Sequence, residues 1–240
     1  MLVVFARSGD ETARRIAAAW ERWDAVLCTP ADLSVPGWRH RVGASQEDTL
    51  AIGGRIIPSE AITGVLTRMW AIESRDLPHI ATSDRDYVAA EMTAFLTAFL
   101  SALPCPMLNR PTAATLCGPA WRPEQWMRTA AKAGIPVVPR RRSIHPNAWH
   151  EPAAEVPATV TVIGECVFAV PAFGTARERL EHWALALARE AGVGLLGLGF
   201  VRQESSYTLA SADPCPDLAN PDQMDAAREF LLSCAYRSRR

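Results

Sequence analysis

The stretch from residue 160 to residue 217 constrains the fold more than any other. Val160-Thr161-Val162-Ile163 and Cys166-Val167-Phe168-Ala169-Val170 are apolar, β-branched runs separated by Gly164-Glu165, the spacing of a two-residue hairpin turn. Residues 175–190 put Leu180, Trp183, Ala184 and Leu187 on one helical face. Two further apolar segments, 194–201 and 207–212, read as antiparallel strands. They lead into Asp213-Pro214-Cys215-Pro216-Asp217, where the prolines cannot extend a ladder. Hairpins combined with helices make this half α+β.

The first half has a different rhythm. Leu2-Val3-Val4-Phe5 and Ala25-Val26-Leu27-Cys28 read as buried strands, and Asp10 or Thr12 caps a helix carrying Ala13, Ile16, Ala17 and Trp20. Residues 50–57 form a broken strand or a hairpin at Gly53-Gly54, and Ile62-Thr63-Gly64-Val65-Leu66 is a further strand. Ser83 and Asp86 stand at capping-box spacing before a helix that bears Tyr87, Phe95, Phe99 and Leu103 and stops at Pro104. Residues 107–109 read as a short strand, and 112–117 as a helical turn. A second good helix has Pro123 at its start and Gly134 past its end. Alternating strands and helices predict an α/β domain with a mainly parallel sheet. Residues 139–157, with Arg140-Arg141-Arg142, His145, His150 and several prolines, carry no period. The expected division is therefore 1–139, a linker at 140–157, and 158–240, which closes with an amphipathic helix over 222–236.

Composition excludes several function classes. With 49% hydrophobic and 21% charged residues the chain has the balance of a globular protein, not a disordered one. A net charge of −1 provides no basic field for nucleic acid. No apolar run is long enough to span a bilayer, and the first residues lack the pattern of a signal peptide, so a cytoplasmic protein is expected. Six scattered cysteines without a Cys-x-x-Cys pair predict free buried thiols instead of a zinc site or a disulfide framework.

Four segments together resemble the ATP-grasp carboxylate–amine ligases, in particular the RimK-like group and those that modify ribosomal peptides. The first is residues 62–70, similar to a strand that ends in a basic residue. The second is Tyr87-Val88-Ala89-Ala90-Glu91 followed by 103–111, similar to a long helix leading into an Asn-x-Pro turn. The third is residues 126–139, with Ala133-Gly134-Ile135-Pro136, similar to the exit towards the central domain. The fourth is residues 160–217. The resemblance implies a pre-ATP-grasp α/β domain followed by the C-terminal ATP-grasp half.

Several positions depart from that pattern. The family inserts a further subdomain after the exit segment, whose lysines hold the nucleotide phosphates. Here about twenty residues separate Pro139 from the hairpin, too few for a packed subdomain, and no lysine follows Lys132. Where the family has an arginine entering the hairpin strand stands Thr159. Where it has its first metal-binding aspartate stands Leu198-Gly199-Phe200, and its closing Glu-x-Asn-Pro reads Ser211-Ala212-Asp213-Pro214. Magnesium on a nucleotide needs carboxylates, and phosphoryl transfer depends on charge neutralisation.

The resemblance with these departures implies a reduced ATP-grasp architecture lacking the central lid. The protein it describes has lost ligation and binds a peptide or a partner ligase. The alternative is an ATP-dependent carboxylate–amine ligase with a divergent or partner-completed site, and a third reading is new small-molecule chemistry on the same scaffold. No cofactor is expected under the first; ATP and magnesium belong to the alternative. A precursor peptide, a partner ATP-grasp ligase or a second copy of the chain are the expected partners. No catalytic residue and no metal ligand is assigned. The candidate binding residues are Arg68, at the end of a strand in an α/β domain, the run Arg140, Arg141 and Arg142, and Asp213. Gly192-x-Gly194-x-x-Gly197 matches the dinucleotide fingerprint in letters, but a helix precedes it and a strand follows, the reverse of what that motif needs. Trp38, Trp121 and Trp149, in loops, are expected to mark a protein-contact surface.

Overall fold

The computed structural model describes residues 1–43, 48–139, 158–170, 176–203, 206–218 and 220–237. These fall into two compact units, one built from Met1–Ala120 with Asp217–Arg240 and the other from Trp121–Pro216.

In the first unit, β1 (Leu2–Phe5), β2 (Ala25–Cys28), β5 (Gly64–Thr67) and β6 (Met107–Leu108) form a parallel sheet in the order β2-β1-β5-β6. Every residue of β1 and β5 is buried, as expected for a parallel sheet covered on both faces. Helix α1 (Glu11–Ala19) is capped by Asp10, whose carboxylate accepts the Ala13 N–H at 2.9 Å. The hairpin β3 (Thr49–Ile52) and β4 (Arg55–Pro58) turns on Gly53 and Gly54, both at positive φ. Asp48, 2% exposed, fixes its approach by accepting the Arg41 N–H at 2.7 Å and binding His40 Nδ1 at 2.8 Å.

Helix α2 (Arg85–Ala102) covers this sheet with Leu96, Phe99 and Leu100. The Ser83–Asp86 capping box does not form. Asp86 instead accepts the Ser74 hydroxyl, and the Ser83 hydroxyl turns to Asp84. Residues 112–117 are not a helical turn: Thr112 and Thr115 exchange backbone hydrogen bonds as an isolated bridge. Helix α5 (Pro221–Arg237) returns to this unit and buries Met224, Ala227 and Leu231. A Cβ placed on Gly64 would stand 2.9 Å from Leu231 Cβ, so glycine is what lets α5 approach β5. Arg22 and Arg228 both lie over the Trp23 ring, 3.8 and 4.0 Å from its centroid, which ties α5 to the turn after α1.

The second unit is the α+β half. Its sheet runs β10-β9-β7-β8, antiparallel throughout: β7 (Ala158–Ile163), β8 (Cys166–Val170), β9 (Leu195–Gln203) and β10 (Ser206–Asp213). Helix α4 (Arg177–Ala191) ends at Gly192, φ 65°, so the dinucleotide-like letters are a helix stop followed by a strand. The expected division at 139/140 cuts through this unit. Helix α3 (Pro123–Lys132) places Trp126, Met127 and Ala130 in the same core as Val160, Leu198 and Leu209. The exit segment then joins the edge of β10: Val138 N–H donates to the Leu209 carbonyl and Leu209 N–H to the Pro136 carbonyl, each at 2.8 Å.

Trp38 and Trp121 are half-buried and each is anchored on one side. Trp38 donates its indole N–H to the Asp32 carbonyl and sits edge-on to Phe99. The Trp121 ring lies 4.7 Å from that of Trp126, and both rings pack against a core. Trp149 lies outside the described residues. Of the described cysteines, Cys28, Cys105 and Cys117 are buried, whereas Cys166 is exposed and Cys215 half-buried. Among the described residues no helix is long and apolar enough to cross a membrane.

Candidate functional site

Two places collect the residues that sequence reasoning singled out. The first is one row across the antiparallel sheet. Gly199 on β9 stands opposite Thr159 on β7 and opposite Ser211 on β10. The three positions at which the resemblance expects an arginine, an aspartate and a glutamate are therefore direct cross-strand neighbours. Their side chains are a hydroxyl, a hydrogen and a hydroxyl. Phe200, Leu198 and Val160 alternate onto the opposite, core-facing side.

The next row places Asp213 opposite Gly197. Asp213 Oδ1 accepts the Cys215 N–H at 2.8 Å, an Asx turn that starts the Pro-x-Pro segment. Pro216 then folds back on Gly197, where a Cβ would meet it at 2.7 Å. Asp217 belongs to the first unit and accepts the Thr12 hydroxyl at 2.7 Å. The fit to a nucleotide and magnesium is poor here: the row offers no charge, and the nearest carboxylate is engaged in its own turn. Among the described residues no three His, Cys, Asp or Glu side chains converge as a metal site. Arg140, Arg141 and Arg142, with His145 and His150, lie outside the described residues.

The second place is a crevice in the first unit, at the carboxyl ends of β1 and β5, where open α/β sheets take ligands. It encloses about 480 Å³ and is lined by Arg7, Ser8, Gly9, Asp10, Arg68, Arg75 and Asp76. Arg68 follows β5 directly, and its backbone N–H donates to the Phe5 carbonyl at 2.7 Å, which fixes the start of the side chain. The side chain is 8% exposed and its Nε donates to Asp10 Oδ2 at 3.0 Å. Arg68 is thus an ion pair, but a buried one on a crevice wall, with Asp10 shared between that pair and the α1 cap.

Arg7 stands opposite. Its Nε donates to Asp76 Oδ2 at 3.1 Å and its Nη2 pairs with Glu73. Burial works against the Arg7 charge, but the hydrogen bonds and charges of Asp76 and Glu73 outweigh it and raise its pKa. Glu73 also pairs with Arg75 at 2.7 Å. Sequence reading singled out Arg68 but not Arg7, Arg75 or Asp76, which line the same crevice. The signal present was Arg7-Ser8-Gly9-Asp10, a basic, glycine-bearing turn between a first strand and a capped helix. Residues 73–76 gave none, because their role depends on a fold that brings them some seventy positions back to β1.

A larger groove of about 920 Å³ runs along α2, past Ala90, Ala94 and Ala98. Its threonine hydroxyls are turned inward: Thr93 donates to the Ala89 carbonyl and Thr97 to the Thr93 carbonyl, both at 2.8 Å.

No family model matches the sequence, and no curated protein does. Solved structures do match. The macrocyclase MdnB from Microcystis aeruginosa MRC aligns over 96% of this chain and 98% of its own, with a TM-score of 0.65 at 19% identity. MdnC from the same organism, solved with precursor peptide MdnA, aligns over 97% and 99%, with a TM-score of 0.69 at 11% identity. A Chryseobacterium gregarium RiPP-associated ATP-grasp ligase, solved with ADP and a leader and core peptide, aligns over 97% and 96%, with a TM-score of 0.64 at 11% identity. At such identities the likeness speaks for architecture alone, and that architecture, a parallel α/β half and an antiparallel α+β half, is the ATP-grasp fold.

Proposed function

We propose that this protein is an ATP-grasp-like accessory protein of peptide modification that binds a peptide or a partner ligase and no longer ligates. The observation that carries the reading is the row Thr159–Gly199–Ser211, one line of neighbouring positions without a charge. A nucleotide's phosphates bring several negative charges, and their transfer depends on cations held by carboxylates and on basic side chains. The single lysine of the sequence, Lys132, closes α3 and is no substitute for the phosphate ligands of a lid. In this reading the chain does without the lid subdomain, and the protein works in the cytoplasm without cofactor or metal. The peptide as ligand is supported by the likeness to MdnC, which was solved with a precursor peptide.

The competing reading, an ATP-dependent carboxylate–amine ligase with a divergent site, draws on Asp213, the carboxylate one row from Ser211. Thermal unfolding with and without ATP and magnesium separates the two, because a ligand that binds only the folded state raises the melting temperature. The accessory reading expects no shift. A shift of several degrees that disappears in Asp213→Ala would overturn it.

A further inference from the structure

We infer that the crevice between β1 and β5 is a receptor for a single carboxylate group, such as the C-terminus or an acidic side chain of a peptide. This rests on the peptide-binding part of the function proposed above and names the chemistry that part of the protein reads.

Charge and hydrogen-bonding capacity point to different limits, and together they define the ligand. Three guanidiniums, Arg7, Arg68 and Arg75, are set against three carboxylates, Asp10, Glu73 and Asp76. Formal charge is balanced before any ligand arrives, so a dianion would bring twice the uncompensated charge of a monoanion, and the balance sets an upper limit of one negative charge on an anionic ligand.

The hydrogen-bonding capacity is not balanced. Asp10 uses both oxygens, one on the Ala13 N–H and one on Arg68. Glu73 uses one oxygen on Arg7 and the other on Arg75, and its carboxylate also accepts the Asp76 N–H. Asp76 Oδ2 takes both Arg7 Nε and the Glu73 N–H, leaving Oδ1 as the one carboxylate oxygen of the group that accepts nothing from the described residues. Beside that oxygen stand Arg7 Nη1, the remaining donors of Arg75, the Ser8 hydroxyl, which can donate as well as accept, and the Ser8 and Gly9 N–H groups, none of which donates to a described residue. The surplus is one of donors, so the complement is an acceptor. Gly9 lines the crevice, and the space beside it is open: a Cβ there would meet nothing within 4 Å.

A carboxylate fits both conditions: it is acceptor-only, singly charged, and planar enough to take a guanidinium and two backbone N–H groups together. The pairs Arg68–Asp10 and Arg7–Asp76 stay in place and hold the cradle rigid, and Arg75, on the exposed rim at 71%, closes over the ligand.

The test uses the full chain, labelled with ¹⁵N, titrated separately with acetyl-trialanine bearing a free C-terminal carboxylate, with the same peptide as its C-terminal amide, and with inorganic phosphate. The free acid should shift the Ser8 and Gly9 amide resonances saturably, and the amide should not. Phosphate should bind more weakly than the acid. Arg75→Gln, which removes an exposed guanidinium without touching the core, should weaken the acid by about tenfold, the size of one charge-assisted contact. Equal binding of acid and amide, tighter binding of phosphate, unmoved Ser8 and Gly9 resonances, or full affinity in Arg75→Gln would each overturn the assignment. A thermal shift with ATP and magnesium would sink the loss of ligation and leave a carboxylate result standing. Failure of the free acid to bind would do the reverse.

Discussion

Cys105 shows how far burial governs single groups here. It is 6% exposed, and burial pushes its thiol up to about 11, although Arg110 pulls the other way. Burial, helped by the charge of Asp32, also raises Cys28. With the Cys105 pKa above its ordinary 9.0, the folded chain keeps a proton that the unfolded chain loses. That contribution to stability is intact below pH 9.0 and disappears as pH rises towards 11. Urea unfolding across this window should show stability falling, and replacing Cys105 with alanine should flatten the fall. An unchanged slope in that variant would contradict the buried-thiol account. The cysteine spacing led to an expectation of buried thiols, which Cys166 does not meet. Cys166 is exposed because it opens β8 next to the Gly164 turn, a matter of strand ends that composition does not register.

At the level of elements, local chemistry was legible wherever one short segment decides the outcome. Asp10 as a cap, Gly53-Gly54 as a turn, Gly192 as a helix stop and the hairpin at Gly164 all follow from backbone preference. Reading failed where a distant partner wins. Asp86 binds Ser74 and so leaves the capping box, and α3 joins the second core through Trp126 although the composition break lies after it. Register is the other hidden quantity. Each of Thr159, Gly199 and Ser211 was readable as a missing charge, but only strand pairing puts them in one row. The same pairing gives Gly197 its role beneath Pro216. Gly197→Ala should destabilise the antiparallel unit by about 1–3 kcal/mol through overpacking against a rigid ring. Chemical denaturation measures this, and a neutral outcome would mean that the Pro-x-Pro segment moves freely off β9.

For the whole molecule, the decisive fact is that the first unit is discontinuous, its sheet drawn from Met1–Ala120 and part of its cover from Asp217–Arg240. Residues 217–240 are therefore not a dispensable tail. Removing them strips Leu231 from Gly64 and Arg228 from Trp23. The shortened chain should lose amide protection in β1 and β5 and keep it in β7 and β9, which hydrogen exchange resolves strand by strand. Protection of β1 at the level of the full chain would show that α5 contributes little.

The return of α5 also sets an order of events during synthesis. When the ribosome has delivered residue 216, the antiparallel half already possesses all of its strands and both of its helices. The parallel half, begun first, still waits for the helix that lies against Gly64. Of the two halves, the one begun first is thus the later to be completed, and until α5 is made the apolar surface around Leu2 and Gly64 lacks that cover.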